Sequence, residues 1–115
     1  MAQLLSDRRD IDFVLYEQLE IEDLVKTKKY NDLNRKMFDM VLKAAVKLGK
    51  DLLFPIFEEM DRNQPELVNG EVKVHPSVKS IMKEFGEGGW IRAMAPLADD
   101  GLQVPAAWSN ACLFV

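Results

Sequence analysis

The chain has 115 residues, 48% hydrophobic and 30% charged, with 19 acidic against 15 basic side chains and a net charge of −4. That length supports one domain burying roughly two thirds of its unfolded surface, and the acidic balance argues against nucleic acid, because phosphate binding needs clustered Lys and Arg. The one Cys cannot form an internal disulfide, which fits a reducing, cytoplasmic compartment, and no apolar run approaches the ~18 residues of a membrane span.

From the N-terminus, Arg8 and Arg9 are followed by Asp10, Asp12 and Glu17, so there is no apolar stretch of a secretory signal. Ile11, Val14, Leu15 and Leu19 recur at helical spacing, widened by Phe13 and Tyr16. They predict an amphipathic helix over Asp7 to Leu24, capped by Ser6 or Asp7. Val25 to Tyr30, with Lys26, Lys28 and Lys29, reads as a solvated connector. Residues 1–30 thus form an N-terminal extension, and residues 31–115 the main helical unit.

The longest helix is expected to start at Asn31 or Asp32. Leu33, Met37, Met40, Val41, Ala44, Leu48 and Leu52 form one apolar strip, and Phe38, Leu42, Ala45 and Leu53 a second beside it. A stripe this wide packs against several neighbours, as in a bundle. Pro55 lacks an N–H and clashes with the carbonyl of Asp51, which predicts a kink or break before the helix resumes to Arg62. Asn69-Gly70 between alternating residues predicts a small hairpin.

Pro76 opens a further helix with Val78, Ile81, Met82 and Phe85 on one face, stopped by Gly86. Ile91 to Pro96 reads as a buried extended segment, Asp99-Asp100-Gly101 as a turn, and Pro105 to Val115 as the start of a last helix. That ending is apolar through Cys112, Leu113, Phe114 and Val115 and reads as the front of a buried helix, so the chain is expected to be the first part of a larger protein. The fold class is mainly all-α, a helical bundle.

No catalytic, cofactor-binding or metal-ligating residue is nominated. His75 is the only histidine, and without companion ligands it reads as a loop residue rather than a zinc ligand or base. Cys112 has no neighbouring cation in sequence and reads as a small core residue rather than a nucleophile. Glu58, Glu59 and Asp61 are adjacent carboxylates that do not face one another on a helix, and Glu58 is placed to pair with Arg62 at i+4. Glu87-Gly88-Gly89 lacks the spacing of a phosphate loop and reads as a corner. The lysines of residues 26–36 form a solvated face, and Met37, Met40, Met60 and Met82 read as core fillers.

Together, Leu53-Phe54-Pro55-Ile56-Phe57-Glu58-Glu59-Met60-Asp61, the helix opened by Pro76, Gly89-Trp90-Ile91, Ala95-Pro96 and Gly101 before a small-residue helix resemble, in this order, the N-terminal helical domain of flavin-dependent acyl-CoA dehydrogenases. The extension from Gln3 to Leu24 and the Asn69-Gly70-Glu71-Val72 insert are similar to the subgroup that includes 3-methylmercaptopropionyl-CoA dehydrogenase. Asp100-Gly101 stands where the family usually has Gly-Gly.

The resemblance implies an intact oxidoreductase of fatty acid metabolism, an FAD flavoprotein and homo-oligomer. It would desaturate an acyl-CoA thioester by removing the α-proton while hydride passes from the β-carbon to the flavin, and then pass electrons to a partner. The family's FAD contacts, CoA contacts and catalytic glutamate lie mostly in domains with no counterpart here. The fragment is therefore expected to be inactive and flavin-free alone, supplying one wall of the acyl pocket near Ala106, Ala107, Trp108 and Cys112. The competing reading is a stand-alone helical interaction module that presents Trp108 to Val115.

Overall fold

The computed structural model describes residues 6–115; Gln3 to Leu5 of the expected extension lie outside that range. Helix α1 spans Arg8–Asp12 and runs on as a π-helix over Phe13–Gln18. The Asp7 side chain accepts from the Arg9 amide at 2.8 Å, satisfying one orphan donor of the first turn.

The helix expected as far as Leu24 is cut earlier. Leu19 N–H closes onto Val14 O, and Glu20 takes a left-handed conformation (φ 46°). That reversal carries Ile21 into the core at the head of a 3₁₀ segment, Ile21–Lys26. Part of the expected connector is therefore structured.

Asn31 and Asp32 lie in a turn, and the cap of the long helix is Asn34, whose Oδ1 accepts from Met37 N at 3.0 Å. Helix α2 is Arg35–Leu48. Where a kink or break is expected at Pro55, the chain is not broken: a π-helical segment over Gly49–Leu53 leads directly into α3, Phe54–Arg62. Pro55 sits in the first turn of α3, where its missing N–H costs least, and the wide turn before it absorbs the mismatch in the ladder.

Asn63 ends α3, its amide nitrogen donating back to Glu59 O. Strands β1 (Glu66–Val68) and β2 (Glu71–Lys73) then pair antiparallel, with Leu67 opposite Val72. The expected hairpin turn is present: Asn69 (φ 53°) and Gly70 (φ 81°) are both left-handed, as a two-residue type I′ turn requires. The structure is therefore mainly helical with one small hairpin.

Pro76, expected as the first helical residue, is instead the cap of α4, Ser77–Glu87, so the helix starts one position later. The stop falls later than Gly86: Gly88 N–H bonds Glu84 O, and Gly89 (φ 75°) makes the turn. The segment expected to be buried and extended contains instead a 3₁₀ turn, Trp90–Arg92, with Ala93 buried and Ile91 and Met94 exposed. Bonds from Leu102 N to Arg92 O, Gln103 N to Ala95 O and Val104 N to Ala93 O fold the chain back on itself. That reversal leads through Pro105 into α5, Ala106–Phe114.

One core joins these parts. Ile11, Leu15 and Ile21 pack with Phe38 and Leu42 of α2, with Ala93 and Val104, and with Trp108 of α5. Of the two strips on the long helix, the second (Phe38, Leu42, Ala45) is the buried one. Met40 and Met82 are more than half exposed and Met37 is just exposed, so these three methionines are not core fillers.

The N-terminal helix is also held by charge. Arg8 bridges Asp12 at 2.7 Å and reaches Asp39 of α2, which accepts from the Tyr16 hydroxyl at 3.1 Å. The Arg35 guanidinium lies 4.0 Å from the Tyr16 ring centre, a cation–π arrangement.

Burial, followed by the charge and hydrogen bond of Asp39, pushes the Tyr16 phenol well above its ordinary 10. The neutral phenol is the form the fold prefers. Its contribution is full below pH 10 and is lost as pH rises toward the folded-state value, because the unfolded chain then ionises first. Urea midpoints measured from pH 8 to 11 are expected to fall above pH 10, with a smaller fall in Tyr16→Phe.

Candidate functional site

Helix α5 is the element whose composition does not match its surroundings. Ala106, Ala107, Trp108, Ala111, Cys112, Leu113 and Phe114 leave it apolar on every side, with only Ser109 and Asn110 polar. Such a helix belongs in the middle of a protein, with neighbours all round. Here Trp108 and Ser109 are buried, while Leu113 and Phe114 are 73% and 75% exposed.

Trp108 fixes the helix in place. Its indole packs on Phe38 with ring centres 5.7 Å apart and tilted by 44°, and Nε1 donates to Phe38 O at 3.3 Å. Beside it is an apolar cavity of about 190 Å³, walled by Met37, Phe38, Val41, Trp90, Leu102 and Trp108.

Two open grooves flank α5. One, of about 570 Å³, runs between Phe85, Trp90, Ile91 and Met94 on one side and Ser109, Cys112 and Leu113 on the other. The second, of about 480 Å³, separates Val14, Leu15 and Leu19 from Ala107, Ala111 and Phe114. Among the described residues, its polar side chains are Asp10 and Asn110. Among the described residues, the side chains that line the two grooves are mainly apolar.

The remaining candidates fall outside this region. Glu58 pairs with Arg62 on the exposed face of α3, as the spacing predicts. His75 is better ordered than a loop residue need be. Its side chain is only 11% exposed; Nδ1 accepts from Ser77 N at 3.2 Å and Nε2 lies 3.1 Å from Glu59 Oε1. The imidazole thus serves as the N-terminal acceptor of α4 and ties it to α3.

Cys112 is half-buried and packed against the core, and loss of hydration pushes its thiol from the ordinary 9.0 up to about 11. That shift lowers the thiolate fraction roughly 100-fold at neutral pH. Modification by a disulfide reagent at pH 7.5 is therefore expected to be at least about 10-fold slower in the native chain than in urea; equal rates would contradict the packing. Among the described residues, no group of three or more His, Cys, Asp or Glu is arranged to hold a metal ion, and no helix is long and apolar enough to cross a membrane.

No protein-family model, curated protein or solved structure matches this chain.

Proposed function

We propose that this chain is the N-terminal helical domain of a flavin-dependent acyl-CoA dehydrogenase, and that α5 with its flanking grooves supplies an apolar wall for the acyl chain. The observation that carries the reading is α5 itself: a helix apolar on all sides, held on one side by Trp108, with hydrocarbon-lined grooves on the two others. The motif order from Phe54-Pro55 through Gly89-Trp90 and Ala95-Pro96 to Gly101 supports it.

Within this reading the chain's own task is to bind and orient hydrocarbon and to exclude water from it. FAD would supply the redox chemistry of the intact, homo-oligomeric protein. No step of the reaction is assigned to the described residues. Acyl-CoA and the electron-accepting partner would be engaged by the intact protein in the cytoplasm.

The test is to read the native gene past Val115 and express the full reading frame. A yellow protein that reduces an artificial electron acceptor with an acyl-CoA is the expected result. A stop codon directly after Val115, or a longer protein that binds neither flavin nor acyl-CoA, would overturn the proposal. Exposure of Leu113 and Phe114 also favours a second reading, a helical interaction module; that reading requires a stop codon at that point and a bound protein partner.

A further inference from the structure

We propose that the cavity between α2, the Trp90 turn and α5 binds a small uncharged aromatic molecule, about the size of toluene. The inference goes beyond the acyl-chain reading. Its ligand is a compact ring, and its walls include Met37, Val41 and Val104, which line neither groove beside α5.

The first observation is volume. Protein interiors are packed as densely as organic crystals, and unfilled space lowers stability in proportion to its size. About 190 Å³ stands open here. An apolar cavity of about 150 Å³ is enough to take up benzene, so this one has room for a ring carrying a further carbon. Pockets for drug-sized ligands start at roughly 300 Å³, so the occupant is small.

The second is the lining. Phe38, Ala93, Val104 and Trp108 are buried and form the floor, and the half-buried Trp90 closes one side. Among the described residues, no lining side chain is titratable. Trp108 Nε1 already donates to Phe38 O. The Trp90 indole edge lies against Gly88, where a Cβ would stand 2.7 Å from its Nε1. A hydroxyl or a charge placed inside would give up water without gaining a partner among these side chains. Three rings in the wall, Phe38, Trp90 and Trp108, favour an aromatic guest in offset or edge-on contact.

The third is that the walls are fixed in advance. Leu102 N bonds Arg92 O at 3.3 Å and Val104 N bonds Ala93 O at 3.0 Å, which pins the strip opposite α2. The indole bond to Phe38 O pins α5. The rim is made by Met37 and Leu102, both exposed. Their unbranched or singly branched side chains can swing aside for entry, and the Met37 thioether adapts to a ring edge.

The test is to titrate the whole chain with toluene to near its aqueous saturation and follow methyl resonances. Those of Met37, Val41 and Val104 are expected to shift together and saturate with a Kd of about 1 mM or tighter. The groove methyls of Val14, Leu19 and Met94 should stay in place. Phenol, in which a hydroxyl replaces the toluene methyl, should bind at least about 10-fold more weakly. Val41→Phe puts a ring into the same space and should abolish the shifts with an unchanged circular dichroism spectrum, whereas Val72→Phe on the hairpin should leave binding intact. Should Val41→Phe not fold, the methyl map and the toluene–phenol pair decide on the wild-type chain. No saturable shift, shifts led by the groove methyls, phenol binding as well as toluene, or a folded Val41→Phe that still binds would each overturn the proposal. A longer protein that binds neither flavin nor acyl-CoA would leave it standing.

Discussion

Trp108→Ala is expected to destabilise the chain by about 3–5 kcal/mol, the usual cost of removing a large buried aromatic. Trp108 is 3% exposed and touches both halves of the core. Its ring packs on Phe38 and its Nε1 donates to Phe38 O, so the substitution removes α5's anchor on α2 and enlarges the cavity walled by Met37 and Leu102. Domains of this size have only about 5–15 kcal/mol in total, and this one is a slab 19 Å through its thinnest dimension, scarcely two helices deep. A loss of that size leaves little cooperative unfolding to measure. Trp108→Phe keeps most of the ring and gives up the indole N–H, and should cost about 1–2 kcal/mol. Urea unfolding followed by circular dichroism checks both; a loss under about 1.5 kcal/mol in Trp108→Ala would mean that α5 docks without its indole.

Local signals and long-range ones fared differently in this sequence. Asn69-Gly70 announced its hairpin because a two-residue loop with two left-handed positions admits few other residues. The long helix was legible from its apolar spacing, and so was the Glu58–Arg62 pair four residues apart. The cap lies two or three residues beyond Asp32 and Asn31 because Asn31, Asp32 and Asn34 are equally good acceptors, and only the turn closed by Leu33 N–H to Tyr30 O decides among them. The left-handed break at Glu20 had no signal at all; it follows from the core's demand for Ile21. Which strip of the long helix is buried depends on where Trp108 and Leu15 land, and that is a tertiary fact. The Arg8–Asp39–Tyr16 network joins residues 23 and 31 apart and left no pattern to read. At the candidate site the apolar character of α5 was plain from composition, but the two grooves beside it were not, since their other walls come from residues 14–19 and 85–94.

Gly101→Ala is expected to cost about 3 kcal/mol or more, for a reason that composition could not supply. A Cβ at Gly101 would stand 2.0 Å from the carbonyl oxygen of Ala95 and 2.4 Å from its carbonyl carbon. Both are backbone atoms, so no side chain can rotate away to make room. The loop must move, and with it the bonds from Gly101 N to Pro96 O and from Gln103 N to Ala95 O, both 3.0 Å, that aim the chain into α5. Three other positions separate this clash from general glycine effects. At Gly86, inside α4 with open space around it, alanine should stabilise by about 0.5–1 kcal/mol. At Gly70 there is room for a Cβ but φ is +81°, so the cost should be only the left-handed penalty of about 1–2 kcal/mol. Asp100 already sits at φ 57°, the conformation glycine adopts without strain, so Asp100→Gly should be neutral or slightly stabilising although it adds backbone freedom to the unfolded chain. Urea midpoints for the four variants should therefore rank Gly86→Ala highest, Asp100→Gly at or near wild type, Gly70→Ala below it and Gly101→Ala far lowest. If Gly101→Ala instead falls level with Gly70→Ala, the reversal at Ala95 yields easily, and α5 is held by Trp108 rather than by the loop that delivers it.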